Sequence, residues 1–143
     1  MAIYMLPKKL EGNKYIDLLV ASLERRQLLV LPFDKRAAAR IGRGDFFHIH
    51  WPSYYYSGRN AAETGLKSAL FLLLLLYLKG RGAKIVWTVH NLWPHREGNM
   101  RWHRIMRIAL TRFCYRIIVM GDSAKAELIR QFKADEARIV RIP

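Results

Sequence analysis

The alternation of apolar and polar positions divides this chain into short apolar runs separated by longer segments of helical period. Ala2 to Leu6 predicts a strand closed by Pro7, and Lys8 to Lys14 a polar loop carrying Gly12 and Asn13. Ile16, Leu19, Val20 and Leu23 recur at the spacing of one helix face, which predicts a helix over 15–26. The apolar run 28–33 predicts a buried strand, 35–44 a basic connector with room for a helical turn, and 46–51 another strand, stopped by Pro52. Positions 53–60, with Tyr54, Tyr55 and Tyr56, read as a loop. A helix follows over 61–78, ended by Gly80 and Gly82. The remaining pattern predicts a strand over 84–89, a loop over 92–100, a helix over 101–116 and a strand over 117–120. A capping turn at 121–123 opens a helix over 124–132, and a strand covers 137–142. Strands alternating with helices predict an α/β fold, a parallel sheet with helices on both faces.

The run Leu70 to Leu78 is apolar enough to suggest a membrane span, but Lys67 and Lys79 bracket it and leave eleven residues between them. Such a segment reaches roughly 16 Å as a helix, about half of a hydrocarbon core of ~30 Å. It is expected to be a helix buried in a protein core. No long apolar stretch follows the N-terminal residues, so no signal peptide is read there.

Composition narrows the picture. A length of 143 residues suits one domain with its own core, and 52% apolar residues argue against disorder. The single cysteine, Cys114, excludes an internal disulfide framework and fits a reducing compartment. It falls among Trp102, Ile105, Met106, Ala109, Leu110 and Phe113, and is expected in the core. The net charge of +14 and pI near 10.4 favour anionic partners: nucleic acid, an anionic membrane surface or phosphorylated substrates. The chain stops at Pro143 just after a strand, where an α/β unit normally continues, so a larger parent is expected.

Candidate chemistry gathers at two strand ends. The segment Asp45 to Pro52 holds His48, His50 and Trp51, and Lys84 to His95 holds His90, Asn91, Trp93 and His95. Ligands of open parallel sheets bind at the carboxyl ends of strands. His48 and His50, two apart, share one sheet face, whereas Phe47, Ile49 and Trp51 share the other. Hydrogen-bonded packing is one reading of this pair. A metal pair completed by His90 and His95 is another, although no acidic residue or cysteine has ligand spacing and no HExxH occurs. His90 closes a strand and is the strongest candidate to orient a substrate hydroxyl or support transition-state charge. His103, on a helix, is expected to play no part. The chain carries no GxSxG, GxGxxG or P-loop. The Gly12-Asn13 loop follows a strand and opens a helix, so its backbone N–H groups suit a phosphate. On the 101–116 helix, Arg101, Arg104, Arg107, Arg112 and Arg116 are expected within one solvated half, with Ile105, Ile108 and Ala109 opposite. That basic half suits an anionic membrane surface or a phosphate-bearing partner.

The two histidine motifs, Asp-x-x-His-Ile-His-Trp-Pro at 45–52 and Lys-Ile-Val-Trp-Thr-Val-His-Asn-Leu-Trp-Pro-His at 84–95, resemble the amino-terminal domain of GT-B fold glycosyltransferases. The nearest likeness is to family-four enzymes of bacterial polysaccharide assembly, and it extends through Arg116 to Met120 and Ala137 to Pro143. The resemblance implies a Rossmann-like amino-terminal half that binds the acceptor, with a carboxy-terminal nucleotide-sugar domain absent from this chain. His90 is implied beside the reacting sugar as the catalytic residue, with His50, Trp51, Asn91, Trp93 and His95 on the acceptor and Gly12 and Asn13 facing the donor diphosphate. It further implies transfer from a nucleotide-sugar to a glycan or lipid-linked acceptor, with no cofactor and no metal. The enzyme is expected at the cytoplasmic face of the plasma membrane, with Arg101, Arg104 and Arg107 on the membrane surface. The rival reading is a non-enzymatic basic α/β module binding nucleic acid or another polyanion. The aromatics are not interleaved with lysines and no nucleic-acid motif occurs, so no nucleic acid is expected.

Overall fold

The computed structural model describes residues 1–94 and 98–142. Six strands form a single sheet: β1 (Ala2–Leu6), β2 (Leu29–Pro32), β3 (Phe46–Ile49), β4 (Lys84–Thr88), β5 (Arg116–Val119) and β6 (Ile139–Arg141). Their order is β2-β1-β3-β4-β5-β6, and every pairing is parallel. The helices are α1 (Lys14–Arg25), α2 (Lys35–Arg40), α3 (Ser53–Tyr56), α4 (Ala61–Gly80), α5 (Met100–Phe113) and α6 (Asp122–Phe132). This is the expected α/β, Rossmann-like architecture. The connection leaving β1 runs outward to β2, whereas the next returns past β1 to β3. With right-handed crossovers, α1 covers one face and α2, α4, α5 and α6 the other.

The register explains the core. Tyr4 pairs with Phe47, Phe47 with Ile85, Ile49 with Trp87, and Trp87 with Ile117, so these side chains share one face. Phe71, Leu75 and Leu78 of α4, Met106 and Leu110 of α5, and Leu128 and Phe132 of α6 close over them. Met5, His48 and Val86 pair in register on the opposite face, toward α1. Side chains start most of the helices. Asn13 caps α1, Asp34 caps α2, Asn60 caps α4 and Asn99 caps α5, each accepting from a backbone N–H of the first turn.

Several segments depart from the sequence reading: the strand expected over 137–142 is preceded by a 3-10 turn, Glu136–Arg138, and is confined to β6, and the turn expected at 121–123 already holds the start of α6, which has no side-chain cap. The connector 35–44 holds a full helix, α2, because Asp34 supplies its cap. The loop 53–60 begins with the short helix α3, entered through Pro52 at φ −62°. The helix expected over 101–116 ends at Phe113, and Arg116 begins β5.

Helix α4 is not the buried helix expected. Phe71, Leu75 and Leu78 face the sheet, but Leu66, Leu70, Leu73, Leu76 and Tyr77 lie exposed along the outer side. By length and composition alone it could cross a membrane. The pattern concealed its inner face because leucine occupies every side of the helix, leaving no polar stripe to mark the outside. Cys114 is buried as expected, and burial pushes its thiol up, away from reactivity.

Candidate functional site

The order of the strands reverses between β1 and β3, and the carboxyl ends of β1, β3 and β4 meet at this switch point, where ligands of open parallel sheets bind. Three histidines gather here. His48 Nε2 lies 2.8 Å from Thr88 Oγ1, and His50 Nδ1 lies 3.1 Å from His90 Nε2. The rings of His48 and His50 have centroids 4.3 Å apart, as the two-residue repeat requires. Trp51 stacks on His90 at 4.4 Å with 17° between planes, and Tyr15 of α1 meets the His90 ring edge-on at 4.7 Å. His90 is thus gripped on three sides and half-buried.

The electrostatics keep these rings neutral. Burial, reinforced by the neighbouring His90, lowers His48 to about 4. Burial and the adjacent rings of His48 and His90 drive His50 well below the ordinary range. Burial also lowers His90. A neutral pair shares one proton across the His50–His90 contact, so one nitrogen donates and the other accepts. The other ring nitrogen of His90, Nδ1, takes no part in that contact. Among the described residues no group of three or more His, Cys, Asp or Glu side chains could hold a metal ion. His48 bonds to Thr88 and His50 to His90, and His95, the fourth histidine of the metal reading, lies outside the described residues.

Beside the cluster lies a cavity of about 290 Å³, lined by His50, Trp51, Asn91 and Trp93. These are four of the five residues expected on the acceptor. The fifth, His95, lies outside the described residues. Gly12 takes φ +73°, the left-handed region that favours glycine, and the Asn13 side chain accepts from Ile16 N. Their loop opens α1, whose first turn brings Tyr15 to His90, so it borders the cluster.

Two expectations fail here. Arg107 is not on the solvated face: it is 3% exposed, its guanidinium carbon 5.0 Å from the centre of the Trp87 ring, and it lines the same cavity. Steps of three residues drift by about 60° around a helix, so Arg107 sits about 120° away from Arg101 and points inward. Ile105, expected opposite the arginines, lies only about 40° from Arg101 and is 53% exposed. Arg101, Arg104 and Arg112 are exposed. His103 is no bystander either. It is buried, with Nδ1 2.9 Å from the Tyr56 hydroxyl, which itself lies against Arg107.

Residues 7–143 match the family model described as Glycosyltransferase Family 4. The chain belongs to this family. Over 69 residues it is 36% identical to the GDP-mannose:glycolipid 4-beta-D-mannosyltransferase of Xanthomonas campestris pv. campestris, and the match covers 48% of this chain and 20% of the relative. The same enzyme from a second strain of that bacterium matches equally. A solved glycosyltransferase from Rickettsia africae ESF-5 superposes over 99% of this chain and 42% of its own, with 16% identity and a TM-score of 0.44.

The family-4 chain also holds site residues that sequence reasoning passed over. Thr88 follows Val86 by two and shares the histidine face, a signal the period of the strand already contained. Tyr15, Ser57 and Lys67 carried no comparable signal. Each reaches the site through the packing of a helix or a loop against the strand ends.

Proposed function

We propose that this domain is the acceptor-binding half of a hexosyltransferase that moves a sugar from a nucleotide-sugar to a lipid-linked glycan. The observation that carries the reading is the cavity lined by His50, Trp51, Asn91 and Trp93 directly beside His90. Two indoles bracketing polar groups suit a sugar, whose C–H faces pack on aromatic rings while its hydroxyls hydrogen-bond. The name of the Xanthomonas relative supports a nucleotide-activated donor and a glycolipid acceptor.

In this reading His90 acts as a neutral hydrogen-bonding group. Its Nε2 is engaged by His50, Trp51 and Tyr15 fix the ring, and Nδ1 bonds a hydroxyl of the reacting sugar. Positioning and electrostatic stabilisation then supply most of the rate. Gly12, Asn13 and the first turn of α1 face the donor diphosphate. The donor sits chiefly on a second, carboxy-terminal domain, and neither cofactor nor metal takes part.

The reading includes a peripheral position on an anionic bilayer at the cytoplasmic face. The exposed leucines of α4 provide an apolar stripe, and α5, packed beside it, presents Arg101, Arg104 and Arg112. An apolar face next to a basic one matches lipid tails and anionic headgroups. A second copy of this chain fits less well, because it brings another net charge of +14.

Calorimetry on this chain tests the division of labour. An acceptor glycoside is expected to bind, and a nucleotide-sugar weakly at best. Micromolar binding of the nucleotide-sugar to this chain alone would overturn the acceptor-half reading.

A further inference from the structure

Among the described residues, four buried side-chain polar atoms lack a hydrogen-bond partner: His50 Nε2, Ser57 Oγ, Trp87 Nε1 and Arg107 Nε. Buried polar groups are almost always paired, so each such atom requires an explanation. Three of the four belong to residues lining the 290 Å³ cavity next to Trp51, and the fourth, Trp87, carries the Arg107 guanidinium over its ring at 5.0 Å. Unmet hydrogen-bonding capacity is therefore concentrated at a single place.

Arg107 sets the chemistry of that place. Its charge is 3% exposed, and none of the described ion pairs includes it. Its neighbours are the Tyr56 hydroxyl and the Trp87 ring, neither a full counter-charge. The hydroxyl can accept from the guanidinium while donating to His103 Nδ1, which locks the fork in one orientation. The Lys67 ammonium lines the same cavity, tethered to Ser57 O at 3.2 Å and 3.6 Å from Glu63, a carboxylate it shares with Arg59. One buried cation and one half-buried cation thus face a cavity to which no acidic side chain among the described residues contributes. A planar guanidinium fork with a hydroxyl beside it is the donor set that carboxylates and phosphates accept from.

We propose that this cavity is an oxyanion subsite, in which Arg107, assisted by Ser57 and Lys67, binds a phosphate or carboxylate carried by the acceptor. The proposal deepens the acceptor-half reading and rests on it. The acceptor is then an anionic glycan or glycan phosphate, anchored by its charge in the cavity while a sugar hydroxyl reaches His90. Arg107 is a specificity-determining residue and takes no part in the bond exchange.

Inorganic phosphate is the first probe, followed on this chain through the Arg107 Nε–H and Trp87 indole N–H resonances. Saturable shifts of both are expected. Binding should weaken at least about tenfold in Arg107→Gln and be only partly retained in Arg107→Lys, which keeps the charge but loses the fork. Ser57→Ala, which leaves the buried charge in place, is expected to weaken binding several-fold and serves if the arginine variants fail to fold. Absent or non-saturating shifts, meaning that water alone fills the cavity, overturn the proposal. So does unchanged affinity in folded Arg107→Gln or, where that variant does not fold, in Ser57→Ala.

Competition then separates the two layers of the argument. A sugar phosphate and a uronic acid glycoside identify which oxyanion is preferred, and at least one is expected to displace phosphate where a neutral glycoside of the same sugar does not. Phosphate binding that no glycan displaces removes the acceptor from the site and overturns both readings. A neutral glycoside that binds the cavity without competing with phosphate overturns the oxyanion subsite and leaves the acceptor half standing.

Discussion

His90 illustrates how far a single side chain can be read before and after its neighbours are seen. The strand period and the motif place it at a rim. The structure adds that its Nε2 is occupied by His50, its ring is stacked on Trp51, and burial holds it neutral. A group so fixed serves by orientation. In the full-length enzyme, His90→Ala is expected to lower kcat by about 10²-fold while KM and melting temperature change little. Near-wild-type turnover in a folded variant would return His90 to a structural role. His103→Ala is not a fair control, because His103 is buried against Tyr56 next to the cavity. An exposed side chain such as Lys35 serves instead. At this scale the histidines were legible because a strand's two-residue period is rigid. Arg107 was not, because Arg101, Arg104 and Arg107 look like one face when read in threes, whereas a helix turns every 3.6 residues.

At the scale of elements, legibility followed contrast between faces. Helix α1 has one apolar side, and its extent was read to within one residue at each end. Helix α4 has apolar residues all round, so its extent was clear and its orientation was not. Helices α2 and α3 are too short to show a period, and their starts depend on Asp34 and Pro52. The exposed stripe of α4 makes a measurable claim. Replacing Leu66, Leu70 and Leu73 together with glutamine should reduce cosedimentation with anionic vesicles at every salt concentration, because the loss is hydrophobic. Replacing Arg101 and Arg104 with glutamine should weaken binding mainly at low salt, where headgroup attraction is least screened. Equal binding to neutral vesicles by the parent chain would remove the anionic headgroups from this reading, and no loss in the leucine variant would remove the bilayer as the partner of this face.

At the scale of the whole molecule, the sequence established an alternating α/β chain but not the order of its strands. Nothing in the pattern says that β2 lies outside β1, because that choice depends on which helix faces fit which sheet face. The reversal matters because it opens the crevice into which β3 and β4 deliver their histidines. That delivery has a cost for stability, with a definite sign. The free histidine value is 6.5, and folding lowers His48 to about 4 and also lowers His50 and His90. As pH falls below 6.5 the unfolded chain gains protons that the folded chain refuses, so stability declines at up to ~1.4 kcal/mol per pH unit for buried His48 and for His50, and by less for half-buried His90, which solvent screens. Stability contributed by the neutral cluster is therefore complete above 6.5 and is lost progressively down to about 4 for His48. Urea midpoints should fall steadily between these limits. In His48→Gln, which cannot take up a proton but can still hydrogen-bond Thr88, the decline should be shallower by close to one proton's worth. An identical slope in parent and variant would mean that His48 is charged in the folded protein and that the neutral cluster is wrong.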